Sequence, residues 1–370
     1  MAYLLENNDF EVLLTTLQTQ GYTVIGPVQR DHTIVYDEVR AVEDLPAGWT
    51  DAQAPGSYRL SDQGDGALFG YTVGPHSWKR YLYPASVRLW QAQRQNGTFT
   101  VAEDTPKPSK LAFLGMRPCD LQAVALHDRI FMESEFADPF YRAQRQQALF
   151  IVVNCTRAGG TCFCASMDTG PRAKTGFDLS LTEIVTDDRH YFILESDSRR
   201  GKRLLDALPV RPAEAGEVAV ADERLAAAAA SMGRTLDTEH LKERLESSIE
   251  HAHWEDVSRR CLTCGNCTMV CPTCFCTTIE DYTDLSGEHA ERWRKWDSCF
   301  TMEFSYIHGG SVRYSPRARY RQWLMHKLAT WVDQFGSFGC VGCGRCITWC
   351  PVGIDLTEEA RMLTSKEKAR

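Results

Sequence analysis

The sequence predicts an α+β protein, with an α/β domain over residues 1–235 and a mostly helical domain over residues 236–370. Two observations support this fold class. The first half alternates short apolar runs with helical patterns, which is typical of strands covered by helices. The second half opens with apolar residues at helical spacing, which predicts a helix from Asp237 to about Arg260. A chain of 370 residues is long enough for two domains.

A crossover unit is predicted in the first domain. Residues 110–115 and 147–154 are apolar runs typical of buried strands, and helical patterns follow Pro118 and precede the second run. This order of elements is that of a unit with parallel strands. Cys119 and Cys155 then come just past the carboxyl ends of the two strands, the edge where open α/β sheets bind ligands.

Turn residues mark other parts of the first domain. Residues 44–66 are rich in Gly, Pro, Asp and Ser, and we expect a loop there. Asn96-Gly97 predicts a hairpin turn, and residues 187–190 separate the strands of another hairpin. No Gly-x-Gly-x-x-Gly segment leads into a helix, so no dinucleotide-binding site is expected.

Two cysteine runs define the second domain. Each follows the pattern C-x2-C-x2-C-x3-C-P, which is the spacing of bacterial ferredoxins. Cysteines three residues apart in a tight loop can hold three irons of one [4Fe–4S] cluster, and in two-cluster ferredoxins the fourth cysteine ligates the other cluster. The eight cysteines are Cys261, Cys264, Cys267 and Cys271 in the first run, and Cys340, Cys343, Cys346 and Cys350 in the second.

The spacing therefore predicts two [4Fe–4S] clusters with crossed ligands. Zinc is the alternative, but zinc sites usually join two separated cysteine pairs and do not need the third cysteine or the C-x3-C-P ending. A long segment with a helical pattern at residues 319–334 separates the runs, so we expect a helical ferredoxin-like domain. One cluster would use Cys261, Cys264, Cys267 and Cys350, and the other Cys340, Cys343, Cys346 and Cys271.

Four further cysteines, in the first domain, form a candidate third metal site. Four thiolates suffice for a [4Fe–4S] cluster or a structural zinc. A glycine pair, Gly159-Gly160, would let the chain fold tightly around a bound group. The alternative is that these are ordinary buried thiols. The four residues are Cys119, Cys155, Cys162 and Cys164.

Two features of the second domain allow more than one interpretation. Cys274, Cys276 and Cys299 are either alternative ligands that shield a cluster or buried thiols. The basic segment Arg313–Lys327 is either a solvated face or a set of cations that offset cluster charge or bind an acidic partner.

Composition narrows the class of protein. The formal net charge of −8 argues against general affinity for nucleic acid. Residues 1–14 lack the basic and apolar regions of a signal peptide, and no apolar run approaches the ~18 residues of a membrane span. Together with 15 clustered cysteines, this predicts a cytoplasmic metalloprotein.

A known family shares several of these motifs. The chain resembles the iron–sulfur beta subunits of cytoplasmic sulfhydrogenases, which are NAD(P)-linked nickel–iron hydrogenases, and is similar to the electron-transfer subunit of anaerobic sulfite reductase. The resemblance covers about residues 110–355. The motifs that carry it are Gly115-Met-Arg-Pro-Cys119-Asp120, Asn154-Cys155 with Cys162-Phe-Cys164, Gly176-Phe-Asp-Leu179, Cys271-Pro-Thr-Cys274-Phe-Cys276, Trp296-Asp-Ser-Cys299 and Gly342-Cys-Gly-Arg345.

The resemblance implies an electron-transfer subunit without a catalytic site of its own. It would connect a flavin-bearing NAD(P)H subunit with the small and large subunits of a nickel–iron hydrogenase, or with a sirohaem subunit in the sulfite reductase. It also favours a third cluster at the four cysteines of the first domain. A different class of function stays open, in which the first domain reduces a small substrate with Cys119 as nucleophile.

Overall fold

The computed structural model describes residues 1–365, and its mixture of helices and strands confirms the predicted mixed α+β class. Residues 366–370 of the predicted second domain lie outside the described residues. The strands are β1 Tyr3–Glu6, β2 Thr23–Arg30, β3 Thr33–Glu38, β4 Trp49–Ala54, β5 Ser57–Asp62, β6 Ser86–Gln95, β7 Thr98–Glu103, β8 Leu111–Met116, β9 Leu149–Val153, β10 Leu179–Val185, β11 His190–Ser196, β12 Arg211–Pro212, β13 Thr277–Thr283, β14 His289–Trp296, β15 Tyr306–Ile307 and β16 Gly310–Ser311.

The α-helices after residue 236 are short, with four to ten residues each. A π-helical turn, His326–Thr330, joins two of them into one rod, α10 and α11. The helices are α1 Phe10–Thr19, α2 Lys79–Leu82, α3 Pro118–Phe131, α4 Pro139–Gln147, α5 Arg199–Leu205, α6 Ala215–Ala230, α7 Leu241–Glu246, α8 His253–Arg260, α9 Asn266–Met269, α10 Pro316–Met325, α11 Trp331–Phe335, α12 Arg345–Thr348 and α13 Leu356–Thr364.

An eight-stranded mixed sheet organises the first half of the chain. Its order is β12-β1-β11-β10-β9-β8-β2-β3, and the neighbours from β2 to β10 are parallel. The unit β8-α3-α4-β9 is the predicted crossover, which is confirmed because β8 and β9 pair in parallel. The predicted hairpin β10–β11 is also confirmed.

Both faces of this sheet are covered. Successive residues of a strand point to opposite faces. Thus Leu114 of β8 packs in the core that α1 covers, whereas Phe113 packs in the core that α3 and α4 cover. Strands buried on both faces explain the continuous apolar runs of β8 and β9.

The loop predicted at residues 44–66 is wrong. The chain there forms the β4–β5 hairpin, with Trp49 opposite Asp62 and Ala54 opposite Ser57. The inward-facing residues of β4 include Asp51 and Gln53, which are 2% and 8% exposed. Because the buried positions of this strand are polar, the strand lacks the apolar alternation by which a sequence reveals it.

The segment between the cysteine runs is not purely helical, which corrects the expected helical insert. Strands β13 and β14 form a four-stranded sheet with β6 and β7, in the order β13-β14-β6-β7. The β6–β7 connection is the predicted hairpin, and Asn96 and Gly97 have the positive φ angles of its turn, 52° and 83°. This sheet joins strands from before residue 110 and after residue 276, while the division at residue 235 stays a prediction.

The helix predicted from Asp237 to Arg260 is interrupted. It consists of α7 and α8, and residues 247–252 between them form a turn. The Ser248 carbonyl in this turn accepts from the His251 N–H at 2.9 Å and from the Trp254 indole N–H at 2.8 Å, which ties the start of α8 to the turn. The helical pattern at residues 319–334 is confirmed by α10, the π turn and α11. None of the helices in residues 1–365 has the length and apolarity to cross a bilayer.

Two Phe→Ala substitutions, one in the core of the central sheet and one at an exposed position, test the fold. Phe113→Ala removes a fully buried ring that stacks on Phe150 at 5.7 Å, so the free energy of unfolding should fall by about 3–5 kcal/mol. Phe99→Ala, at a ring that is 55% exposed on β7, should change it by less than about 0.5 kcal/mol. Denaturant titration of both variants measures the difference, and equal losses would contradict the placement of Phe113 in the core.

Candidate metal centre

The two cysteine runs have the same backbone geometry. In each loop the N–H two residues after the first cysteine donates to its sulfur at 3.4 Å, from Thr263 to Cys261 and from Gly342 to Cys340. The glycine after the second cysteine of each loop has a left-handed φ, which is 73° at Gly265 and 74° at Gly344. The short helices α9 and α12 then carry the third cysteines. In each loop, one backbone N–H therefore points at a cysteine sulfur.

The first sulfur group lines one cavity. Its wall includes the cysteines of the first predicted set, three from the first loop and one from the second, so the structure brings this set together. Apolar side chains, among them Phe300 and Trp323, form the rest of the wall. Cys346 of the other set also reaches this cavity, so the two predicted sets are neighbours. The cysteines of the first set are Cys261, Cys264, Cys267 and Cys350.

The second sulfur group is more deeply buried. Burial, together with the sulfurs of Cys343 and Cys271, raises the pKa of Cys340 to about 12. Burial also raises the pKa of Cys346, and the sulfurs of the other three contribute to that shift. Cys340, Cys343, Cys346 and Cys271 therefore lie together.

Two buried lysines lie beside this second group. Lys327 is 3% exposed, and its ammonium donates to the Thr273 hydroxyl at 2.5 Å and to the Gly339 carbonyl at 3.1 Å. Lys79 is 5% exposed and donates to the Cys274 and Cys271 carbonyls at 2.9 and 3.2 Å. Among residues 1–365, neither lysine has a carboxylate within ion-pair distance.

The sulfurs provide negative charge beside both lysines, although at Lys79 burial outweighs them and lowers the pKa. Burial lowers the pKa of Lys327, but the sulfurs of Cys271, Cys274 and Cys340 outweigh it and raise the pKa above its ordinary value. A buried cation is tolerated only when a charge of opposite sign compensates it. An anionic group held by thiolates, as a [4Fe–4S] cluster is, therefore fits this donor set.

The third sulfur group also comes together in the structure. Burial raises the pKa of Cys164, and the sulfurs of Cys162 and Cys155 raise it further. Cys119 joins them, because its pKa is raised first by burial and then by Asp120 and Cys164. The four cysteines predicted for a third site are thus neighbours, at the carboxyl edge of β8 and β9.

The third group lies against the second cysteine loop. The Cys343 sulfur contributes to the raised pKa of Cys119, Cys162 and Cys164. The contact is close at the backbone, because a Cβ atom at Gly342 would lie 2.6 Å from the Phe163 carbonyl oxygen, and one at Gly344 would lie 2.4 Å from that of Thr161. Only glycine permits this approach.

A buried ion pair joins the two groups. The guanidinium of Arg345, which is 0% exposed, donates to both carboxylate oxygens of Asp120 at 2.8 Å and to the Gly74 carbonyl at 3.0 Å. Asp120 directly follows Cys119, and Arg345 lies between Cys343 and Cys346. The pair therefore holds the second cysteine loop against the start of α3.

Sequence reasoning missed the roles of these charged residues, although a signal was present. Asp120 and Arg345 occur in the motifs that carry the family resemblance, directly beside cysteines. In the basic segment Arg313–Lys327, Lys327 lies beside the sulfurs of the second group, and the Arg319 guanidinium is close enough to Cys261 to oppose the rise in its pKa. Arg317 and Arg321 pair with Glu250 instead. The hypothesis that cations here offset sulfur charge thus has a structural basis at Lys327.

Three cysteines lie outside the predicted ligand sets: Cys274 is near Cys271 of the second group, and Cys276 and Cys299 are neighbours, with Cys299 near Cys267 of the first group. Cys274 interacts with Cys271, and Cys276 interacts with Cys299. Within residues 1–365, no three His, Cys, Asp or Glu side chains are arranged to hold a single metal ion.

Comparison with known proteins agrees with this geometry. Residues 260–354, which contain both cysteine loops, match the family model of a 4Fe-4S dicluster domain. The chain is 26% identical over 341 residues to sulfhydrogenase 2 subunit beta of Pyrococcus furiosus, a match that covers 90% of this chain and 89% of that protein. The predicted resemblance to the sulfhydrogenase beta subunit family is confirmed.

The sulfhydrogenase match extends the resemblance beyond the cysteine loops. Because it covers nine-tenths of the chain, it includes most of the first domain, for which residues 1–100 offered no recognisable motif. No solved structure matches the chain. The dicluster match indicates iron–sulfur clusters, and the ligand sets stay predictions.

Removing the buried cation tests the ion pair. Arg345→Met leaves Asp120 buried without its partner, so the free energy of unfolding should fall by about 3–5 kcal/mol. The double variant Arg345→Met/Asp120→Leu removes both charges and should recover much of that loss. Arg259→Met, whose side chain is 71% exposed, is the control and should cost less than about 1 kcal/mol. A double variant that is no more stable than Arg345→Met would contradict this explanation.

Proposed function

We propose that this protein is an iron–sulfur electron-transfer subunit that relays electrons between a nickel–iron hydrogenase core and a flavin-bearing NAD(P)H subunit. The dicluster match supports the iron–sulfur part of the proposal, and the similarity to a sulfhydrogenase beta subunit supports the hydrogenase part. The proposed partners are the flavin subunit and the small and large subunits of the hydrogenase. Because a thiolate-rich protein needs a reducing compartment, the proposal places it in the cytoplasm.

The observation that carries this proposal is the contiguity of the three sulfur groups. Cys346 of the second group reaches the cavity of the first, and Cys343 of the second group lies beside the third. Electron transfer through protein becomes much slower as the distance between redox centres grows. A continuous series of sulfur groups is therefore suited to carrying electrons across the molecule.

We assign three [4Fe–4S] clusters to these groups, each of which supplies a one-electron couple when bound. The chain's own residues set the electrostatic environment of each couple. N–H groups that donate to ligand sulfurs and cations near the sulfurs stabilise the more negative, reduced form. The ligand sets proposed are Cys261, Cys264, Cys267 and Cys350; Cys340, Cys343, Cys346 and Cys271; and Cys119, Cys155, Cys162 and Cys164.

The surroundings of Cys119 support a ligand role rather than the alternative role as nucleophile. Cys119 is 6% exposed, and burial followed by the Asp120 carboxylate raises its pKa well above the ordinary value. A nucleophilic thiol needs a lowered pKa and access to substrate. A bound metal would offset this rise in pKa, because its positive charge stabilises the thiolate directly.

The cofactors that co-purify with the chain test the hydrogenase assignment. Affinity purification of the tagged chain from its native cells should recover a flavoprotein and nickel in stoichiometric amounts. Recovery of sirohaem without nickel would favour the sulfite reductase instead and contradict the hydrogenase assignment. The same purification from cells that express a tagged unrelated ferredoxin provides the background level of each cofactor.

Iron content tests the three ligand sets. The reconstituted chain should contain about 12 irons, from four irons in each of three clusters. Cys350→Ser, Cys340→Ser and Cys164→Ser each change one set, so each variant should lose about four irons and one reduced-state signal in electron paramagnetic resonance. The three variants serve as controls for one another. A wild-type content of about eight irons that Cys164→Ser leaves unchanged would contradict the third cluster.

A further inference from the structure

Cys276 and Cys299 form a pair of thiols outside the three proposed ligand sets. The start of β13 pairs with the end of β14, with Thr277 opposite Trp296, and the Asp297 N–H donates to the Cys276 carbonyl at 2.8 Å. This ladder brings Cys299 to the side of Cys276, and the two cysteines line the same pocket. The pairing is therefore a consequence of the sheet.

The pair forms part of the wall of an open pocket. The pocket encloses about 820 Å³ including its mouth, and both cysteines line it. Cys276 is partly exposed whereas Cys299 is buried, so a ligand entering the pocket meets Cys276 first. Four aromatic side chains form much of the remaining wall: Tyr83, Phe131, Phe275 and Phe304.

The pocket also contains a cation without a carboxylate partner. Arg313 donates from Nη2 to the Ser305 hydroxyl at 2.9 Å, and its Nε is buried without an acceptor. No carboxylate in residues 1–365 lies within ion-pair distance of this guanidinium. An arginine fork of this kind is suited to a carboxylate on a ligand.

We propose that Cys276 and Cys299 are a redox-active dithiol that exchanges with a small disulfide bearing an aromatic or apolar group and a carboxylate. The aromatic wall would hold the apolar group and Arg313 the carboxylate. This function goes beyond electron relay and does not depend on which complex the chain joins.

The exchange balances without another oxidant. The Cys276 thiolate attacks one sulfur of the disulfide R–S–S–R, so that a Cys276–S–S–R bond forms, the original S–S bond breaks and RS⁻ leaves. Cys299 then gives up its proton and attacks the Cys276 sulfur, which releases the second RS⁻. The two thiolates take up the two thiol protons. The net change is oxidation of two protein thiols to one disulfide and reduction of R–S–S–R to two R–SH.

The groups around the two cysteines favour Cys276 as the thiol that attacks the disulfide. The Cys299 thiol lowers the pKa of Cys276 to about 7, with further contributions from Lys327 and the Cys299 N–H, whereas the interaction with Cys276 raises that of Cys299. An attacking thiol is most effective when its pKa is near the ambient pH. Cys276 is thus the attacking thiol and Cys299 the resolving thiol.

Reaction with dithiobis-nitrobenzoate, an aromatic disulfide with a carboxylate on each ring, tests the proposal on the anaerobically reconstituted full chain. A fast phase should release about two nitrothiobenzoates per chain, and peptide mapping should find a Cys276–Cys299 disulfide while the iron content stays unchanged. Absence of that disulfide after the fast phase would overturn the proposal.

Two serine variants separate the roles of the thiols. Cys276→Ser should slow the fast phase by about tenfold or more, since the attacking thiol is gone. Cys299→Ser should still react but retain one nitrothiobenzoate on Cys276. Both variants should keep the wild-type iron content. Loss of about four irons in either variant would overturn the proposal, because the cysteine would then be a cluster ligand.

The role of Arg313 is tested by the charge of the probe. Arg313→Gln should slow the reaction with dithiobis-nitrobenzoate by about tenfold and leave the rate with neutral dipyridyl disulfide unchanged. Arg317→Gln, at an arginine that pairs with Glu250 outside the pocket, is the matched control and should change neither rate. An Arg313→Gln variant that slows both probes equally, or neither, would overturn the proposed carboxylate specificity.

Discussion

The relative placement of the sulfur groups depends on the buried ion pair between Arg345 and Asp120. Each partner lies one residue from an assigned ligand or between two of them, so the position of the pair fixes the second and third groups relative to each other. The geometry requires arginine in particular, because the planar guanidinium binds both carboxylate oxygens and still donates to the Gly74 carbonyl. A lysine ammonium could not make the same fork of hydrogen bonds.

A network of polar side chains also joins the third sulfur group to the second cysteine loop. The Gln53 side-chain oxygen accepts hydrogen bonds from the hydroxyls of Thr161 and Thr348, at 3.1 and 2.7 Å. Its amide nitrogen donates to Asp51 and Thr72. The network therefore links β4, the third sulfur group and α12 of the second cysteine loop. Since every member is buried and bonded, it adds directional contacts to an interface that apolar packing alone would orient less specifically.

The sequence predicts the features that short-range constraints determine. Cysteine spacing dictates which thiols share a loop, and continuous apolar runs reveal β8 and β9 because both faces are buried. The sequence does not reveal the β4–β5 and β13–β14 hairpins, because many of the side chains that these strands contact are polar or charged. Gln53 of β4 accepts hydrogen bonds from Thr161 and Thr348, and β14 pairs with β6 from much earlier in the chain. Strands of this kind are stabilised by contacts between distant segments, which no local pattern records.

Charge compensation connects the fold to its proposed cofactors. Lys79 and Lys327 are buried beside sulfurs rather than carboxylates, and removing a charge from water costs several kcal/mol unless an opposite charge compensates it. Burial raises the pKa of ligand cysteines such as Cys340 and Cys346, so a bound metal would keep these thiols deprotonated and provide that charge. Assembly of the metal sites and packing of the two lysines therefore stabilise each other. The part of the fold that surrounds the second sulfur group gains stability from its cofactor as well as from its apolar core.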